Sequence, residues 1–201
     1  LAKPAGWVKL TLFNKGQLMA EPRNRYSTVS LIFHWLIAAL VVLQIGLVIA
    51  RDGVERETAG ALMDAHKSVG LSILVLTLAR IGWRLANPAI PLPETMARWQ
   101  KLAARATHIL FYVLLIGMPL GGWAASSAAG RDISFFGLFN WPLLPIGGGR
   151  EAAGRFMDMH ELGAWTLYVL VALHVAGALK HHFVDRDNVL HRMIPWIQRR
   201  P

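Results

Sequence analysis

Eight histidines, His34, His66, His108, His160, His174, His181, His182 and His191, are the residues of this 201-residue chain whose type and spacing could do chemistry. Cysteine is absent. That excludes disulfides, iron–sulfur clusters, thiolate zinc sites and thioether-linked haem, so any metal or cofactor must be held by His, Asp, Glu or Met. His160 and His174 are 14 residues apart. On a helix that spacing is about 21 Å of rise and brings the second side chain to within about 40° of the direction of the first. One helix would therefore present two imidazoles to the same neighbours at two depths. Neutral imidazole is a common metal ligand, and each ring needs a partner from another element at its own level.

The elements that must supply those partners are apolar. Hydrophobic residues make up 54% of the chain and charged residues 16%, against about 25% charged in an ordinary soluble domain. The mean hydropathy is +0.39 and the pI near 10.7, with 21 Lys+Arg against 12 Asp+Glu and a net charge of +9. Nucleic-acid binding would account for the basicity but not for the apolar runs, which also exclude disorder. Four segments of about 18–22 residues reach the length that crosses a hydrocarbon core of about 30 Å. They are Val29 to Ala50, Ser68 to Leu85, Ala106 to Trp123 and Leu162 to Leu179. Without water to satisfy the backbone, each should be a helix. A soluble bundle would show polar faces that the charge-free first segment lacks.

Four spans put both termini on one side. The N-terminal arm carries Lys3, Lys9, Lys15, Arg23 and Arg25, and the connection between spans two and three carries Arg80, Arg84, Arg98, Lys101 and Arg105 with its flanks. The C-terminal end adds Lys180, Arg186, Arg192, Arg199 and Arg200. This side thus holds most of the Lys and Arg, and among the acids only Glu21, Glu94, Asp185 and Asp187, so it is expected to be cytoplasmic. Residues 1–22 read as an arm outside the functional domain: Lys9 and Lys15 break any signal-peptide core, and Met19 is an alternative start. Residues 23–195 read as the membrane domain and 196–201 as a basic tail. Pro88, Pro91 and Pro93 stiffen the inner connector. The outer connection between spans three and four, with Phe135, Phe136, Phe139 and Trp141, suits either a segment lying at the membrane interface or a small packed cap.

Depth then pairs the histidines. His34 lies in the first turns of span one, which starts inside, and His66 opens span two, which starts outside. His34 therefore meets His174 near the cytoplasm, and His66 meets His160 near the outer surface. Two bis-histidine sites stacked in a four-helix bundle are what two non-covalent b-type haems require, six-coordinate and suited to electron transfer. The expected fold is an all-α integral membrane four-helix bundle with two haem b groups in its core and both termini cytoplasmic. A His-lined metal-ion path is the alternative, but it would usually add carboxylates at membrane depth. The spans have none from Leu71 to Ile90, from Ala106 to Trp123 or from Leu162 to Leu179.

Further residues gather at the cytoplasmic end. Arg105, His108 and Tyr112 form an i, i+3, i+7 row able to donate to quinone carbonyls or haem propionates, or to serve as interfacial anchors. Arg80, 14 residues after His66, can pair with a propionate or snorkel to headgroups. His181 stands 7 residues beyond His174 on nearly the same face. His182 and His191 are expected at the surface, and Trp35 as packing or an interface anchor.

Phe33-His34-Trp35, His66-Lys67-Ser68-Val69-Gly70, Gly117-Met118-Pro119-Leu120-Gly121, Ala172-Leu173-His174 through Lys180-His181-His182-Phe183, and Asp187-Asn188-Val189-Leu190-His191-Arg192-Met193-Ile194-Pro195 resemble the bacterial cytochrome b561 family. The resemblance covers about Arg25 to Pro195 and is nearest to superoxide-oxidising members of the bacterial inner membrane. It implies haem ligation by His34, His66, His160 and His174. It also implies a ubiquinone site lined by His108 and His181, and superoxide oxidation at the outer haem. The partners it implies are the bilayer, membrane quinone and a small-molecule or protein electron donor outside, with no nucleic acid. An electron-carrier subunit serving a dehydrogenase or reductase is the second functional expectation, and the metal-ion transporter the third. The outer connections carry Asp52, Glu55, Glu57 and Asp64 near Arg51, Arg56 and Lys67.

Overall fold

The computed structural model describes residues 26–88, 90–92 and 96–194. The arm at 1–22, Arg23, Arg25, Pro93, Glu94, Pro195 and the tail at 196–201 lie outside the described residues, and so do the domain boundaries drawn there.

Among the described residues four α-helices follow one another: α1 (Thr28–Arg51), α2 (Arg56–Ala86), α3 (Arg98–Ala128) and α4 (Gly149–Lys180). Each is long and apolar enough to cross a membrane. Three of them extend well past the apolar windows at their starts, α3 by about two turns and α2 and α4 by more than three. Hydropathy marks immersion in lipid, whereas backbone hydrogen bonding continues through polar turns such as the one holding Asp64 and Lys67. α1 is opened by Ser27, whose hydroxyl accepts from the Ser30 amide at 3.3 Å. α3 is opened by Gln100, whose side chain accepts from the Ala97 amide at 3.0 Å. α4 starts from Gly148, at φ 107°, where a Cβ would also fall 2.6 Å from that of Ala152, so only glycine fits.

α1 packs on α2, α2 on α3 and α3 on α4, whereas α4 does not pack closely along α1 or α2. Ile37 and Val41 of α1, Val69 and Ile73 of α2 and Leu167 of α4 form the central cluster, with Phe111, Leu114, Leu115 and Met118 of α3 against it. Lipid is as apolar as these side chains, so close packing rather than water exclusion joins the helices. Gly163 shows the tolerance: a Cβ there would approach Met118 Cγ to 2.8 Å.

The α3–α4 connection is the packed cap of the two alternatives. β1 (Ile133–Phe135) pairs antiparallel with β2 (Phe139–Trp141) in the register Ile133↔Trp141. The hairpin turns through Phe136 at φ 51° and Gly137 at φ 74°, both left-handed, as a type I′ turn requires. Fully buried Ser68 of α2 pins it: its hydroxyl accepts from the Phe136 amide at 2.9 Å and lies 3.0 Å from the Ser134 carbonyl. Trp123 of α3 donates to the Pro142 carbonyl at 2.9 Å, and Ser127 accepts from the Leu144 amide at 3.0 Å. Beyond α4, the chain makes a π-helical turn (His181–Asp185) and a short 3-10 helix (Leu190–Arg192). His191, expected at the surface, is buried with 6% exposure. That helix folds back against the bundle, with Trp35 donating to the Met193 carbonyl at 3.0 Å and Arg192 to the Pro91 carbonyl at 2.8 Å. Local polarity carried no sign of this long-range contact.

Candidate functional site

Two histidine pairs face each other across the gap between α4 and the α1–α2 pair. At one end His66 of α2 meets His160 of α4, with ring centroids 6.0 Å apart. At the other, His34 of α1 meets His174 of α4 at 6.3 Å. A metal ligated from both sides at a metal–imidazole distance of about 2 Å places the two ring centroids about 6 Å apart. The apolar cluster of Ile37, Val41, Val69, Ile73 and Leu167 lies between the two levels.

At the His66/His160 end, the Met118 carbonyl of α3 accepts from His160 Nδ1 at 2.9 Å; the next residue, Pro119, lacks the amide that would bond the Leu115 carbonyl. A carbonyl only accepts, so His160 carries its proton on Nδ1 and offers Nε2 to a ligand. Gly122 leaves room for the ring: a Cβ there would already touch His160 Cε1 at 3.4 Å. Opposite, Gln44 of α1 donates to the His66 carbonyl at 2.9 Å. Its amide sits so close to α2 that a Cβ on Gly70 would come within 3.2 Å. His66 Nδ1 is buried without a hydrogen-bond partner among the described residues. Such an atom points to a group that completes the site. Arg51 and Lys67 near this end are paired, Arg51 with Asp52 at 3.8 Å and Lys67 with Asp64 at 2.9 Å.

The His34/His174 end holds more groups. His108 of α3 stands 5.8 Å from His174, and Phe111 lies edge-on to it at 5.2 Å. The Arg80 guanidinium points inward rather than to headgroups, 3.4 and 3.5 Å from His34 Nδ1. The buried Tyr112 hydroxyl lies beside that guanidinium. Of the row Arg105–His108–Tyr112, the last two stand beside the cluster, although His108 is exposed, as Arg105 is. Trp35 stands edge-on to His34 at 5.2 Å. His181 lies past the end of α4, its Nδ1 2.7 Å from Asp187 and 3.2 Å from Asp185.

Sequence reasoning missed the Met118 carbonyl, Gln44 and Asp187. Gln44 left a signal, as the one amide in a span without formal charge. Met118 acts through its backbone, and Asp187 needs a change of helix type to reach His181, so neither was visible in residue spacing.

Apolar helices long enough to span a membrane and two facing histidine pairs describe a membrane bundle whose imidazoles could ligate a metal. The prokaryotic cytochrome b561 family model matches residues 25–196. Cytochrome b561 homolog 2 of Escherichia coli (strain K12) is 35% identical over 176 residues, 85% of this chain and 92% of that protein. A probable superoxide oxidase CybB of Yersinia pestis is 30% identical over 174 residues, 86% of this chain and 97% of that protein. A probable Ni/Fe-hydrogenase B-type cytochrome subunit of Rhizobium leguminosarum bv. viciae is 25% identical over 118 residues, 58% of this chain and 47% of that protein. The chain belongs to the prokaryotic cytochrome b561 family. It is an electron-transfer membrane cytochrome with haem b as its cofactor.

Proposed function

We propose that the chain binds two haem b groups and oxidises superoxide at one membrane surface while reducing ubiquinone at the other. The observation that carries this reading is the pair of facing imidazoles at each of two levels, 6.0 and 6.3 Å apart, across a gap that α4 leaves towards α1 and α2. His66 and His160 would hold one haem and His34 and His174 the other. Haem iron held by two imidazoles passes single electrons without opening a position for oxygen. The central apolar cluster keeps water out between the two levels. Arg80 can only donate, so in its present contact His34 Nδ1 accepts and the ring proton sits on Nε2. A haem propionate would draw the guanidinium away and free His34 to carry its proton on Nδ1 and ligate through Nε2.

The surplus of Lys and Arg at the His34/His174 end supports a cytoplasmic placement of that end in the bacterial inner membrane, with both termini on the same side. There His108 and His181 would serve a ubiquinone that takes up protons from the cytoplasm. The choice of superoxide rests on the likeness to the probable superoxide oxidase over nearly all of that protein's length. Two superoxide ions, one ubiquinone and two protons give two dioxygen and one ubiquinol.

The purified protein alone, given superoxide as sole donor and ubiquinone-1 as acceptor, is expected to form one quinol per two superoxide consumed. Quinone reduction that starts only when a dehydrogenase or reductase is added would instead establish the electron-carrier subunit. The partial match to a hydrogenase cytochrome subunit favours that as the second reading.

A further inference from the structure

We propose that Asp187 is the positioning residue of His181, holding its Nδ1–H so that Nε2 is the atom that hands a proton to the quinone. This rests on the reading of His181 as part of the quinone site and adds to it an atom and a second residue.

The backbone builds the pair. α4 ends at Lys180, and the next five residues widen into a π-helical turn, His181–Asp185. Arg186 then takes a left-handed conformation, φ 53° and ψ 34°. That reversal lets the Asp187 amide donate to the His181 carbonyl at 3.2 Å and brings its carboxylate back over the ring. Nδ1 to Oδ2 is 2.7 Å. The other carboxylate oxygen accepts from the Val189 amide at 2.9 Å, which fixes the carboxylate itself. Both side chains are largely buried, His181 with 15% exposure and Asp187 with 21%.

Asp185 is the competitor and is otherwise engaged. It approaches His181 Nδ1 only to 3.2 Å. Lys180 Nζ lies 2.7 Å from both of its oxygens, and Gln100 of α3 donates to one of them at 3.3 Å. The shorter bond from the imidazole goes to Asp187.

An ionised carboxylate accepts and never donates, so the His181 nitrogen facing it must carry hydrogen. The hydrogen bond made by one ring nitrogen sets the role of the other. Nε2 is thereby left as the nitrogen that gains and loses a proton. Reducing the quinone to quinol takes two electrons, from two superoxide ions oxidised to dioxygen, and two protons. For one of these the Nε2–H bond of the His181 imidazolium breaks as a quinone O–H bond forms. The ring becomes the neutral Nδ1–H form and regains a proton from water, which also supplies the second proton. Asp187 stays ionised throughout.

The test combines a spectroscopic signature with variants of the haem-loaded protein. In the reduced protein labelled with ¹⁵N-histidine, the His181 nitrogens are expected to show hydrogen on Nδ1. Asp187→Asn keeps the oxygen that holds Val189 but can turn an N–H towards the ring, favouring the opposite tautomer. It is expected to slow ubiquinone-1 reduction about 10–100-fold, the range found when a metal-bound histidine loses the carboxylate that orients it, with haem content unchanged. Asp187→Glu should restore part of the rate. Nδ1 without hydrogen in the unsubstituted protein would overturn the inference whatever the variants do. So would a normal rate in Asp187→Asn beside a slow His181→Gln. A normal rate in His181→Gln would remove the quinone role of His181 itself, and the inference with it.

Discussion

Replacing His174 with Ala is expected to lower haem content from two per chain to one, and His34→Ala to do the same. His66→Ala and His160→Ala should each remove the other haem, leaving the first in place. The His34/His174 end is the more demanding case, because two rings compete for the position opposite His174. His34 is 6.3 Å from it and His108 is 5.8 Å. The helices separate the two. α3 packs closely on α4, and His108 and His174 sit on these two adjoining helices. α1 packs chiefly on α2 rather than on α4, and His34 meets His174 from that more distant helix. His108→Ala should therefore keep two haems. Haem quantification per chain, with the reduced spectrum of each variant, checks the assignment. If His174→Ala retained both haems while His108→Ala lost one, α3 would supply a ligand and the pairing would be wrong.

The second large effect is expected in quinone chemistry. His108→Gln and His181→Gln should slow ubiquinone-1 reduction while both haems stay bound and reducible from the His66/His160 side. Imidazole can exchange protons near neutral pH, and general acid catalysis typically contributes about 10²–10⁴-fold. Glutamine retains hydrogen bonding but cannot supply that proton, so the loss should fall in this range for the double variant. His108 sits within the cluster of His174, Arg80 and Tyr112, whereas His181 lies beyond α4 against Asp187. The two substitutions consequently probe different distances from the haem. Stopped-flow reoxidation of the reduced protein by ubiquinone-1 measures the step. Unchanged kinetics in the double variant would reduce both residues to anchors of the membrane surface.

Much of this architecture was legible because lipid imposes strong constraints on a chain. Four apolar runs had to be helices, and the 14-residue interval between His160 and His174 had to give two levels on one face. The helix ends were not legible, since α2 continues through Glu57, Asp64 and Lys67 without any loss of backbone hydrogen bonding. Nor was the choice between cap and interface strip for the α3–α4 connection. It depends on Ser68, whose hydroxyl meets backbone 66 and 68 residues further along. His191 was misplaced for a similar reason, because its burial arises from the return of the chain end onto the bundle. Within the site, the ring-bearing residues could be found by type and spacing. Their orienting partners could not, because the Met118 carbonyl and the Arg186 reversal are backbone features with no side-chain signature.

A reduced-minus-oxidised spectrum, with haem and metal quantified per chain, decides whether one chain holds two haem b groups between facing histidines. The expected result is a low-spin b-type spectrum, two haems per chain and no stoichiometric zinc. One haem per chain would leave one histidine pair without its assigned role. Bound zinc without haem would rule out the cytochrome and make the histidines a path for metal ions.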